Sequence, residues 1–135
     1  MSNVTRYLIL TVFLTGCTIS QVDNTAQGPK IDRIRIDSTS KRTDGSPEMI
    51  TRCSGFILSK KLVRDFLLHA ERISADETDN YYRILPCTST GIVRINQRKY
   101  NWIIRAGGIG EFYNDKDRFF MICGKNCCNE VPGVC

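Results

Sequence analysis

Apolar positions change their spacing several times along the chain, and each change marks an element. Residues 7–14 are a short, mostly apolar run behind Arg6 and the amino terminus. A bilayer span needs about 20 residues, so this run has the length and flank of a secretory-leader core instead. Residues 18–29 are polar and read as a flexible tether, about 35–40 Å long if extended. Over residues 30–37, Ile34 and Ile36 stand two apart, a modest strand signal. Residues 38–47 read as a loop and residues 48–53 as a short strand.

The clearest periodicity is helical and covers residues 60–73, with Ser59 as N-cap. Leu62, Val63, Phe66, Leu67, Ala70 and Ile73 fall on one apolar arc, with His69 at its edge. Leu68 falls on the opposite face, among Lys61, Arg64 and Arg72. Residues 74–80 are acidic and polar, a loop, and residues 81–85 read as a strand ending at Pro86-Cys87. Residues 91–96 and 99–106 predict a hairpin turning at Gln97-Arg98. In its second strand Tyr100, Trp102, Ile104 and Ala106 alternate with Asn101, Ile103 and Arg105. Residues 118–123 predict a further strand after a turn at Asp115-Lys116. Gly107-Gly108-Ile109-Gly110 invites a phosphate-loop reading, but no helix start follows, so a bulge or corner is expected. The expected fold class is α+β, one main helix packed on a small antiparallel β-sheet stapled by disulfides.

Cysteine content changes the picture most. Six cysteines follow Cys17: Cys53, Cys87, Cys123, Cys127, Cys128 and Cys135. An even set behind a secretory leader predicts disulfides. The tail spacing, C-x3-C-C-x6-C, departs from the paired C-x2-4-C of structural zinc sites, and neighbouring Cys127 and Cys128 cannot easily aim at one ion. No metal is expected, and a strained vicinal bridge is disfavoured, so Cys127 and Cys128 should take different partners. With the turns placed as above, Cys87 and Cys123 both align with Gly108, on opposite sides and about 9.5 Å apart. A bridge between them would need a bend at Gly107-Gly108, and the pairing stays open.

The net charge is +5, with acidic and basic residues mixed along the chain, which gives little support for nucleic-acid binding. His69 is the sole histidine, and Asp76, Glu77 and Asp79 share one polar stretch. Neither forms a recognisable catalytic set, so the reading is not an enzyme and no cofactor is implied.

Leu14-Thr15-Gly16-Cys17 resembles the lipobox of bacterial lipoproteins. The resemblance implies lipid attachment to the Cys17 thiol, cleavage after Gly16 and anchoring at the periplasmic face. Thr18, not Asp, follows the cysteine, which resembles the outer-membrane sorting pattern. The organisation is then a lipoprotein signal peptide over 1–16, a lipidated cysteine and tether over 17–29, and one disulfide-rich domain over 30–135. Further features are Cys53-Ser-Gly-Phe56, Leu58-Ser59, Phe66, Ala70, Pro86-Cys87, Tyr100-Asn-Trp102, Arg105-Ala-Gly-Gly108, Cys123-Gly124 and Cys127. Together they resemble a class of small uncharacterised lipoproteins of Gram-negative bacteria.

These readings converge on an expectation of function. The membrane is one partner, through Cys17, and an unidentified protein is the other. Leu68 ringed by Arg64 and Arg72 is the candidate contact for a partner with acidic and apolar surface. An inhibitor or immunity-type partner of a secreted toxin or envelope hydrolase fits best. The alternative is a structural accessory lipoprotein of an envelope assembly or secretion complex.

Overall fold

Asn96 and Gln97 both take positive φ, 48° and 70°, and close a two-residue hairpin turn of the kind that matches strand twist. The turn joins β3 (Cys87–Ile95) to β4 (Arg98–Arg105). It lies one residue earlier than the sequence predicts, so Cys87 faces Ala106, whose N–H donates to the Cys87 carbonyl at 3.0 Å. The computed structural model describes residues 27–42, 47–80 and 86–135. Cys17, the leader, most of the tether and the strand expected over residues 81–85 lie outside these.

β4 continues into β5 (Ile109–Tyr113) through a three-residue turn in which Gly107 and Gly108 have φ of 96° and 83°. A side chain at Gly108 would meet the Cys123 carbonyl at 3.0 Å, so glycine is required there twice over. The glycine-rich stretch is thus a full chain reversal rather than a bulge, and β5 is a strand that the pattern did not show. β6 (Arg118–Ile122) follows at the register expected from a turn at Asp115-Lys116, with Cys123 opposite Gly108.

The other two strands form the edges of a six-stranded antiparallel sheet of order β1-β3-β4-β5-β6-β2, with β1 at Ile31–Arg42 and β2 at Glu71–Ile73. β1 runs five residues further than the sequence predicts, to Arg42, where residues 38–47 read as a loop. Its register slips three times, and Arg33 and Ser40 have positive φ, so Ile31, Ile34 and Ile36 reach the core at spacings of three and two. Beyond Ile36 hydroxyls replace apolar contacts. Ser38 shares a 2.7 Å hydrogen bond with Thr90, Ser89 donates to Thr39, and Thr39 donates to the Phe56 carbonyl.

Among the described residues four short helices, rather than the one main helix expected, accompany the sheet: α1 (Pro47–Cys53), α2 (Lys60–His69), α3 (Ala75–Asn80) and α4 (Lys125–Glu130). α1 replaces the strand expected over residues 48–53. Proline at its first position and Glu48 in its first turn suit a helix start. α2 begins as expected, the Ser59 hydroxyl accepting the Leu62 N–H at 3.1 Å. It stops at His69, because Ala70 is already extended and residues 71–73 pair with β6. Arg72 and Ile73 therefore leave the helix to which the periodicity assigned them. α3 occupies most of the stretch read as a loop and starts with a capping box. Ser74 N–H donates to Glu77 Oε2 at 2.7 Å, and Glu77 N–H donates back to Ser74 Oγ at 3.3 Å.

The core lies between α2 and one face of the sheet. Val63, Phe66, Val93, Trp102, Ile104 and Phe112 are fully buried there. Phe66 stacks on Phe112, Phe112 on Phe119, and Tyr100 meets Phe119 edge-on, with ring centres 5.1–6.3 Å apart. Truncating Phe66 to alanine should cost about 3–5 kcal/mol, read as a lower denaturation midpoint in urea. A cost below about 1 kcal/mol would contradict this packing.

Candidate functional site

Three disulfides hold the described cysteines. Cys53–Cys87 ties the end of α1 to the start of β3. Cys123–Cys127 ties the end of β6 to α4, and Cys128–Cys135 ties α4 to the last residue. Cys127 and Cys128 thus take different partners, as expected, and the Cys87–Cys123 pairing left open is replaced by two others. The sulfurs of Cys123, Cys128 and Cys135 lie within 4.8 Å of one another because two disulfides stack. A sulfur in a disulfide is no thiolate, so this cluster in its oxidised form is a staple and not a ligand set. Val131 and Val134, fully buried, anchor the tail beneath it.

α2 crosses the sheet at one end. Just before it, the Phe56 carbonyl accepts the Ser40 N–H, at the far end of β1. Just after it, Glu71 pairs with Ile122, at the far end of β6. Both lie at the end opposite the β3–β4 turn. The outward side of α2 is a ridge of exposed side chains. Lys60, Arg64 and Leu68 follow one another at intervals of four, with Lys61 beside them and paired with Asp65. Ile57 precedes the helix. Ile57 and Leu68, 62% and 50% exposed, are the exposed large hydrophobic residues among those described. Everything else that is large and apolar there is at least half covered, so Leu68 on the ridge and Ile57 just before it stand out.

The opposite end carries the hairpin turns. Asn96 exchanges hydrogen bonds with Lys30, donating its N–H to the Lys30 carbonyl and accepting the Lys30 N–H on its side chain, both at 2.9 Å. The β5–β6 turn is closed by Asn114, whose Oδ1 accepts the N–H groups of Lys116 and Asp117. Asn114 Nδ2 also donates to the Lys99 carbonyl, and the Tyr100 hydroxyl to Asp117 Oδ2 at 3.0 Å. Clefts open around these turns among the described residues. One of about 350 Å³ has Arg72, Arg98, Tyr100 and Phe119 in its wall. A second, of about 400 Å³, lies between Arg98, Lys99 and the β5–β6 turn. The third, of about 450 Å³, is lined by Arg33, Arg35, Arg94 and Lys99. No family model, curated protein or solved structure matches this chain.

Of the partner-contact residues singled out in the sequence, Arg64 and Leu68 stand together on the ridge. Arg72 does not join them. It sits on β2 with its guanidinium 4.0 Å above the Phe119 ring, facing the clefted end. Ile57 was missed because it precedes the periodic segment. The arginine-rich clefts were missed because their residues come from four strands. His69 is exposed and borders a small recess with Glu71, Lys125 and Asn126. The neighbouring Cys127 is in a disulfide and offers the imidazole no thiol.

Two carboxylates are held below their ordinary range. The hydrogen bonds from Arg94 to Asp32, 2.6 and 2.9 Å long, lower the Asp32 pKa. Backbone and hydroxyl donation from Ser74 lowers that of Glu77. A depressed folded-state pKa gives stability that is complete above the ordinary carboxylate range, about pH 4, and is lost as pH falls through the folded value. Asp32→Asn should therefore flatten the acid limb of the stability-against-pH curve. An unaltered limb would show that the Arg94 pair does not couple to folding.

Proposed function

We propose that this chain is a lipid-anchored periplasmic binding module whose α2 ridge docks a protein partner with acidic and apolar surface. The partner is most simply a secreted toxin or an envelope hydrolase, held inactive in a one-to-one complex. The observation that carries the reading is the ridge itself, exposed Leu68 in line with Lys60 and Arg64 on a helix whose other face is locked into the core, with exposed Ile57 just before the helix. Apolar contact supplies affinity, and the cations choose an acidic surface and speed encounter. Three disulfides support it, since a stapled surface loses little conformational entropy on binding. The lipobox-like Leu14-Thr15-Gly16-Cys17 supports the anchor.

The test uses the processed lipoprotein and each secreted toxin or hydrolase encoded beside its gene. Wild type should bind one of them tightly and protect cells from it. Leu68→Asp with Arg64→Glu should keep the melting temperature and weaken binding at least thirtyfold, about 2 kcal/mol. Full protection by the double variant would remove the ridge from the account. Absence of any complex with wild type would remove the inhibitor reading.

A further inference from the structure

The basic residues at the hairpin end outnumber the acids beside them, Asp32 among the latter. Lys30, Arg33, Arg98, Lys99 and Lys116 form no ion pair within 4.0 Å among the described residues. The neighbouring Arg94 and Arg35 are already paired, with Asp32 and Asp37. Against the five stand Asp115 and Asp117 in the β5–β6 turn. Asp76 and Glu77 belong to α3, after β2 on the other edge of the sheet, so the positive side is the one formed by β1, β3 and β4.

The same end receives the tether. Lys30, the last residue before β1, is fastened by both hydrogen bonds to Asn96 at the tip of the hairpin. If residues 18–29 are the tether that their composition suggests, twelve residues give a typical end-to-end distance of about 20 Å. Fixed charges act over about 10 Å at 0.1 M salt. A domain tied to a bilayer through Lys30 therefore brings this end, and not the α2 ridge, repeatedly within range of the headgroups.

We propose that the hairpin end, through Lys30, Arg33, Arg98, Lys99 and Lys116, rests on an anionic phospholipid surface. The proposal rests on the reading that Cys17 is acylated. The acyl chains hold the protein at the bilayer, and the basic end sets its orientation. The α2 ridge, whose two ends attach at the far end of the strands, is then held off the membrane and open to the partner. An acidic protein bound at this end is the competing occupant. The tether favours the lipid, because it delivers the surface to that end at high local concentration.

The experiment reconstitutes the purified full protein in vesicles of phosphatidylcholine alone and of phosphatidylcholine with phosphatidylglycerol. It reads hydrogen exchange at residues 95–99 and 114–117. Protection is expected in the anionic vesicles only. It should be lost at about 1 M salt, where charges are screened within about 3 Å, and lost in Arg98→Glu with Lys99→Glu. Lys60→Glu with Arg64→Glu should keep it, since those charges lie at the other end. Equal exchange in both vesicles, or protection that ignores salt, overturns the proposal. So does protection that appears only with an added acidic protein. The intact mass of the same sample reports acylation separately. If no lipid is found, salt-dependent sedimentation with the anionic vesicles still reads the surface. A chain that stays in the supernatant there overturns the proposal as well.

Discussion

Replacing Cys53 and Cys87 together by alanine should lower the stability of the oxidised protein by about 3–4 kcal/mol. The bridge closes a sequence separation of 34 residues, against 4 for Cys123–Cys127 and 7 for Cys128–Cys135. Chain entropy in the unfolded state falls with the logarithm of the closed loop, so the short tail bridges should contribute about 2 kcal/mol each. The long bridge also fastens α1 and the segment leading to α2 onto β3, and both its cysteines are buried. In a domain this small, 1 kcal/mol moves the melting temperature by about 4–8 °C. Thermal unfolding without reductant should therefore show a drop of about 15 °C or more for this pair. Removing Cys123 and Cys127 together should cost less. The reverse ranking would mean that native contacts, not loop closure, decide what the bridges contribute.

The second large effect needs a single methyl group. A side chain at Gly91 would clash with the Arg35 carbonyl and meet Trp102 Cζ2 at 2.6 Å. The first obstacle is the backbone of the neighbouring strand and the second the largest buried side chain, so neither can step aside cheaply. Gly91→Ala should destabilise by about 1–3 kcal/mol or more, from overpacking at the β1–β3 seam. Gly55→Ala is the control, because nothing lies within 4 Å of its added carbon. Denaturant titration of both variants checks the claim. If Gly91→Ala unfolds at the midpoint of the Gly55 variant, β1 does not lie against β3 in the way described.

The parts of the fold legible in the sequence are those where one period holds without interruption. Tyr100, Trp102 and Ile104 alternate cleanly and face the core, and the start of α2 carries its cap and its arc. Periodicity failed where the chain changes rule. Ile73 completes a helical spacing by coincidence, yet belongs to a strand paired with Phe120. Bulges at Arg33 and Ser40 broke the alternation of β1, and the hydroxyl contacts of Ser38 to Ser40 made its second half look like loop. The capping box of α3, Ser74-x-x-Glu77, is written in the sequence, but the reading of residues 74–80 as loop rested on their acidity and polarity alone. α4 is a single disulfide-bracketed helix of six residues, too short to show a period.

The candidate surfaces divide in the same way. Arg64 and Leu68 share one helix, so their common face follows from spacing alone. Arg98 and Lys116 line one cleft and Arg33 the next, with Lys99 common to both, because a hairpin, an edge strand and a turn end at the same side of the sheet, which no local pattern records. Among the disulfides Cys53–Cys87 is nonlocal in the same way, while the tail bridges span only 4 and 7 residues. Spacing did not choose among the tail cysteines beyond requiring that Cys127 and Cys128 part company, which is local geometry.

The most direct test of an anchored, stapled binding module is the intact mass of the protein extracted from membranes, with thiol labelling before and after reduction. An anchored, stapled module gives a chain that begins at Cys17 and carries lipid, with no labelled thiol before reduction and six after it. An unprocessed chain beginning at Met1, or free thiols before reduction, would contradict both the anchor and the oxidised fold on which the binding surfaces depend.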